Sequence, residues 1–158
     1  MEFTWKDRKV FVTGAAGFIG GWLTRELVSL GARVMGLVLQ EELQSEAGRK
    51  LASDGAVLLA GAIEDAERLR SALAEWEADT VFHLAAINVN FGNDVSPLPI
   101  FETNIRGVYN LLDACRLREA AVRTVVASSA EAGCPVDHER GGGAAQRAPR
   151  HPYQVSKM

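Results

Sequence analysis

Short apolar runs alternate along the chain with longer stretches whose apolar residues return every three or four positions. The runs fall at 9–13, 33–38, 56–60, 80–84 and 123–128, and Val and Leu dominate them. Runs of that length without strict polar alternation read as strands buried on both faces. Between the first two, Ile19, Leu23, Leu27 and Leu30 recur at helical spacing, and Gly31 then stops the helix. Positions 64–77 repeat the design with Leu69, Leu73 and Trp76, and Phe101, Ile105, Val108, Leu112 and Cys115 form a longer stripe before the fifth run. Each stripe is expected to pack as core. Positions 41–53 are polar and less regular, a short helix. Strand and helix in strict alternation predict βαβ units and a parallel sheet, an α/β fold.

Composition narrows the partners. With 158 residues, 47% of them hydrophobic, the chain suits one domain with a sizeable core and is too short for two. A net charge of -3 and a pI near 5.6, with no stripe of Lys and Arg interleaved with aromatics, argue against a nucleic-acid surface and for a small-molecule partner. The opening Met1-Glu2-Phe3-Thr4-Trp5-Lys6-Asp7 has no apolar leader core, and no run approaches the roughly 18 residues that cross a bilayer. The expectation is a soluble cytoplasmic protein. Cys115 and Cys134 have no metal-ligand spacing and read as free thiols, so no metal is expected. Positions 137–150, around Gly141-Gly142-Gly143-Ala144-Ala145, read as a mobile surface loop. No internal repeat or interdomain linker is visible.

Thr13-Gly14-Ala15-Ala16-Gly17-Phe18-Ile19-Gly20 joins the first strand to the first helix. A diphosphate needs backbone N–H donors at a helix N-terminus, and side chains at the nearest positions would block it, so Gly14, Gly17 and Gly20 suit the purpose. The spacing is G-x-x-G-x-x-G rather than G-x-G-x-x-G, in the strand-to-helix context that such a turn requires. The alternative is a tight turn with no ligand.

At the other end stands Tyr153-Gln154-Val155-Ser156-Lys157. Oxidising a hydroxyl by hydride transfer needs a base to take its proton, and a phenol near pKa 10 is too weak unaided. Lys157 lies one helical turn from Tyr153, where an ammonium favours the phenolate. Pro152 fits a first helical turn. A hydroxyl to hold the substrate oxygen is available in Ser128-Ser129 at the end of the fifth strand.

Together the two motifs resemble the short-chain dehydrogenase/reductase superfamily, and Gly17-Phe18-Ile19-Gly20 resembles its extended branch, the NAD-dependent epimerases and dehydratases of nucleotide sugars. The resemblance implies a doubly wound Rossmann-like sheet of five parallel strands in the order 3-2-1-4-5. It makes residues 1–158 an NAD(P)-binding domain, the N-terminal half of a longer enzyme whose sugar-binding C-terminal part is absent. It assigns Gly14, Ala16, Gly17, Phe18 and Ile19 to the diphosphate of NAD, with NADP left open. Leu84, Ala85 and Ala86 of His83-Leu84-Ala85-Ala86 would let the nucleotide pass the strand ends, with His83 a satisfied core histidine. Asn104 would support the backbone of the active site. Ser129, Tyr153 and Lys157 would carry the redox step, Tyr153 and Lys157 also touching the cofactor, and Glu131 would act as acid and base if water is eliminated.

Two features depart from the pattern. A ribose-binding carboxylate belongs about 20 residues beyond the glycines, where the chain reads Leu37-Val38-Leu39-Gln40 and only Glu41 or Glu42 can substitute. Gly61-Ala62-Ile63 stands where relatives have Gly-Asp-Ile, so Ala62 and Ile63 would meet the adenine without the acid. The opening Phe3-Thr4-Trp5-Lys6 with Gly21-Trp22-Leu23 resembles cytidine-diphosphate-glucose dehydratases. The expected partner is a nucleotide sugar, with neither nucleic acid nor membrane, and a homodimer is compatible with the family. A dinucleotide-binding regulatory module without turnover, or a truncated remnant, are the alternative readings.

Overall fold

The computed structural model describes residues 3–88, 96–129 and 152–157. Five parallel strands, β1 (Lys9–Thr13), β2 (Arg33–Val38), β3 (Val57–Ala60), β4 (Thr80–His83) and β5 (Arg123–Val126), form one sheet. Their spatial order is β3-β2-β1-β4-β5, as expected of a doubly wound Rossmann-like fold. Register runs without slippage, with Val12 beside Gly36 on one side and Phe82 on the other. The last three strands are one or two residues shorter than their apolar runs.

Successive residues of the central strands point to opposite faces, and both faces are covered. Phe11, Leu37 and Val81 pack with Ile63, Leu69, Leu73 and Leu111 on one side. Val10, Val12, Val34 and Val38 pack with Leu27 and Leu51 on the other. The covering helices are α1 (Phe18–Ser29) and α2 (Glu46–Ser53) on the second face, and α3 (Ala66–Trp76) on the first. Also on the first face, α4 (Pro97–Phe101) runs through a π-helical turn (Glu102–Arg106) into α5 (Gly107–Arg116). A last short helix, α6 (Pro152–Ser156), contacts α4 and that turn. No described helix is long and apolar enough to cross a membrane.

Two stripes differ from expectation. In α1 the buried residues are Gly20, Thr24 and Leu27, whereas Ile19 and Leu30 are exposed. The helix closes onto the turn after β1 through Gly20, so the bulky neighbours turn outward. Between α4 and α5 the buried line is Ile100, Asn104, Gly107, Leu111 and Ala114, while Ile105, Tyr109 and Leu112 face solvent. Two positions of that buried face are a glycine and an asparagine, which apolar counting does not detect. The segment expected as one short helix is a 3-10 turn (Gln40–Gln44) followed by α2, separated at Ser45, whose hydroxyl accepts the Gly48 amide at 3.0 Å. Cys115 is a free, half-buried thiol. Cys134 and positions 137–150 lie outside the described residues.

Candidate cofactor and catalytic site

Three glycines shape the turn after β1, each differently. Gly14 takes the left-handed conformation (φ 67°), and a Cβ there would lie 2.8 Å from the Ala85 amide nitrogen. Gly20 is buried, and its Cβ would lie 2.0 Å from the Gly14 carbonyl oxygen. It lets the helix start close on the turn after β1 and does not face the ligand space, contrary to the sequence reading. Gly17 is exposed at the N-cap of α1, with no capping side chain and no acid in the first turn. The amides of Phe18 and Ile19 therefore point outward at the positive end of the helix. A diphosphate fits that cradle, and a side chain on Gly17 would intrude on it.

Gly14 and Gly17 form one wall of a cleft of about 260 Å³ at the carboxyl ends of the strands. Leu37, Val38 and Leu39 follow from β2, Ile63 and Glu64 from the segment after β3, and Leu84, Ala85, Ala86 and Ile87 from the segment after β4. This is the crevice where open α/β sheets take ligands. Ala62 is exposed and lines an adjoining hollow with Leu39, Gln40, Glu41, Asp65 and Arg68. Ile63 is buried, and its loop is held from behind. The Asn110 amide donates to the Glu64 carbonyl at 2.9 Å, and a Cβ on Gly107 would lie 2.7 Å from Ile63 Cγ2. Sequence reading missed Asn110 and Glu64. Glu64 lines the cleft with its carboxylate hydrogen-bonded by Thr103.

Thr13 and His83 lie side by side on β1 and β4, with Oγ1 and Nδ1 2.7 Å apart. Thr13 Oγ1 also accepts the Leu84 and Ala85 amides at 3.2 Å each. Its lone pairs thus engaged, the hydroxyl donates to Nδ1, which assigns the imidazole proton to Nε2. Nε2 is buried without a partner among the described residues. His83, expected as a satisfied core histidine, is thus satisfied at Nδ1 among the described residues. Burial, with the Lys157 charge adding to it, pushes its pKa from 6.5 down to about 4.

The catalytic candidates reach the same end of the sheet through backbone ties. Asn104, 1% exposed, accepts the Ile87 amide at 2.8 Å, donates to the Ile87 carbonyl at 3.0 Å, and donates to Ser156 Oγ at 2.9 Å. Ser156 Oγ donates in turn to the Tyr153 carbonyl at 2.7 Å. Lys157 Nζ donates to the Ala127 carbonyl at 3.2 Å, and burial lowers its pKa from the usual lysine value. Ser128 Oγ donates to the Lys157 carbonyl at 3.0 Å, which occupies that hydroxyl with backbone. Ser129 and Tyr153 are half-buried. Glu131 lies outside the described residues. Among the described residues no group of three or more His, Cys, Asp or Glu could hold a metal ion.

Residues 10–158 match the model of the NAD dependent epimerase/dehydratase family. The chain belongs to that family. A CDP-glucose 4,6-dehydratase of Salmonella typhimurium is 33% identical over 113 residues, covering 71% of this chain and 32% of the relative. A UDP-glucose 4-epimerase of Lactobacillus helveticus is 35% identical over 124 residues, covering 78% of this chain and 36% of the relative. In structure, a UDP-glucose-4-epimerase from Stenotrophomonas maltophila, solved with bound NAD and formylated UDP-arabinopyranose, superposes with a TM-score of 0.75 at 28% identity, over 94% of this chain and 45% of the other. The chain thus spans about a third of these curated relatives' length and under half of that solved structure.

Proposed function

We propose that residues 1–158 form the NAD(P)-binding and catalytic N-terminal half of a nucleotide-sugar epimerase or dehydratase that works by transient hydride transfer. The observation that carries this reading is convergence. The Gly17 cradle and the Tyr153–Lys157 segment, at opposite ends of the chain, meet the carboxyl edge of one sheet, the second through Asn104 and the Ala127 carbonyl.

A nicotinamide dinucleotide, when bound, supplies the hydride acceptor and donor. Phe18 and Ile19 would hold its diphosphate by their backbone amides, while Gly14, Ala16 and Gly17 shape the turn beneath it, the Gly14 and Gly17 amides being taken by the Leu37 and Gly14 carbonyls. Ala62, Ile63 and Leu84 to Ala86 would border its nucleotide. The Tyr153 phenol is the base that takes the sugar hydroxyl proton. The Lys157 ammonium favours the phenolate, and its bond to the Ala127 carbonyl sets where that charge sits. Ser129, the serine that the family resemblance marks, holds the substrate oxygen. Asn104 keeps the helix of Tyr153 against the segment after β4. Glu131 is the acid and base for loss of water in a dehydratase.

Calorimetric titration of this chain with NAD and NADP tests the reading. Binding is expected, and Gly17→Asp should abolish it, because a carboxylate would meet the diphosphate. Equal affinity in that variant overturns the cradle assignment, and turnover of UDP-glucose or CDP-glucose that survives Tyr153→Phe overturns the base.

A further inference from the structure

We propose that Glu42 reads the adenosine ribose of the cofactor in place of the carboxylate missing at the end of β2, and that with Glu64 it selects the dinucleotide without a 2′-phosphate. This rests on the dinucleotide-binding reading above.

Sequence alone leaves Glu41 and Glu42 equivalent. The 3-10 turn separates them: Glu42 lines the cleft beside Gly14, Gly17 and Leu39, while Glu41 is exposed on the adjoining hollow. Glu42 is also held in place. Its amide donates to the Leu39 carbonyl at 3.0 Å, and its Oε2 accepts the Leu39 amide at 2.7 Å, so the turn closes on itself. Ser45 bonds the Glu42 carbonyl through its amide and, at 2.7 Å, its hydroxyl. Gly48 lies so near that a Cβ would be 2.1 Å from that carbonyl oxygen, and helix α2 thereby backs the turn. Oε1 has no partner among the described residues. A fixed carboxylate with a free oxygen at the end of the second strand suits the hydroxyls of a ribose, which donate to it.

Charge decides the discrimination. Among the described residues, Glu42 and Glu64 are the charged residues lining the cleft, and neither Lys nor Arg joins them. A 2′-phosphate, at nearly two negative charges, would face Glu42 with no cation among the described residues of the cleft to offset it. Arg68 is the nearest alternative reader. Its side chain covers Gly61, in the hollow it shares with Glu41 and Asp65, two carboxylates that oppose a phosphate there.

The test is calorimetry of the 158-residue chain with NAD, NADP and 2′-deoxy-NAD. Glu42→Gln keeps an oxygen for the Leu39 amide and so preserves the turn, removing only the charge. Unchanged thermal unfolding checks this. Wild type should favour NAD over NADP by tenfold or more. Glu42→Gln should weaken NAD about fivefold to tenfold and shrink the preference, as should Glu64→Gln to a smaller extent for the preference alone. Loss of the 2′-hydroxyl should cost the wild type more than Glu42→Gln. If the wild type binds neither cofactor, the dinucleotide reading falls and this inference with it. If it binds NAD and NADP alike, or Glu42→Gln changes nothing, only the role of Glu42 is overturned. A preference for NADP that Arg68→Ala removes assigns the reading to Arg68 instead.

Discussion

Asn104 and Ser156, 52 positions apart in the chain, share a hydrogen bond of 2.9 Å. The bond joins the π-helical turn to the helix that bears Tyr153, and Asn104 spends its remaining polar capacity on the amide and carbonyl of Ile87. Ile87 offers one donor and one acceptor, which fixes which way the Asn104 amide faces. A π turn inside an otherwise continuous helix places this one side chain between the segment after β4, which lines the cleft, and α6.

Removing either partner should therefore act on both segments. Asn104→Ala leaves the half-buried Ile87 groups unpaired and should cost about 1–3 kcal/mol, whereas Ser156→Ala should cost about 1 kcal/mol. The double variant should be less destabilised than the sum by about 0.5 kcal/mol or more. Denaturant unfolding of the four proteins measures this, and hydrogen exchange should show the faster loss of protection in residues 152–157 for both single variants. Strict additivity would remove the coupling.

The order of the sheet was legible because strand and helix periods are local properties: the two central strands β1 and β2 begin and end where their apolar runs do. The buried faces of α1 and of the α4–α5 segment were not. Asn104, Gly107 and Asn110 are buried for what they touch elsewhere in the chain, the backbone of Ile87, the Ile63 side chain and the backbone of Glu64, and no local pattern encodes those partners. Gly20 is buried against the Gly14 carbonyl of its own turn, which apolar periodicity does not register. The cofactor site divides the same way. The glycine turn and Tyr153–Lys157 are contiguous motifs, so they can be read from sequence. Glu64 becomes visible only when Thr103, 39 positions away, is seen to hold its carboxylate.

Two adjacent glycines of α1 should respond to alanine in opposite directions. At Gly20 a Cβ would lie 2.0 Å from the Gly14 carbonyl oxygen, a backbone atom that cannot rotate away, and Gly20→Ala should destabilise by about 2–4 kcal/mol. At Gly21 the nearest atom would be 3.7 Å away, an ordinary contact. Gly21→Ala should stabilise by about 0.5–1 kcal/mol through helix propensity alone. Thermal and denaturant unfolding of both variants check the pair. Equal effects would mean that the close approach of α1 to the Gly14 carbonyl is not what makes Gly20 a glycine.

The buried His83 should make stability depend on pH. Its folded pKa is pushed from 6.5 down to about 4, so the unfolded chain takes up a proton before the folded one does. Stability then rises with pH across that window and is lost as pH falls through it, a contribution of about 3 kcal/mol in full. Carboxylates titrate in the lower part of the same range, so the comparison is with His83→Gln, which should show a shallower slope of unfolding free energy between pH 4.5 and 6.5 by up to one proton. Lys157 adds to the depression, so Lys157→Met should raise the His83 pKa. Nitrogen NMR of the ring should find the proton on Nε2, as the Thr13 hydrogen bond requires. Coincident slopes for wild type and His83→Gln would show that the imidazole is not held neutral by burial.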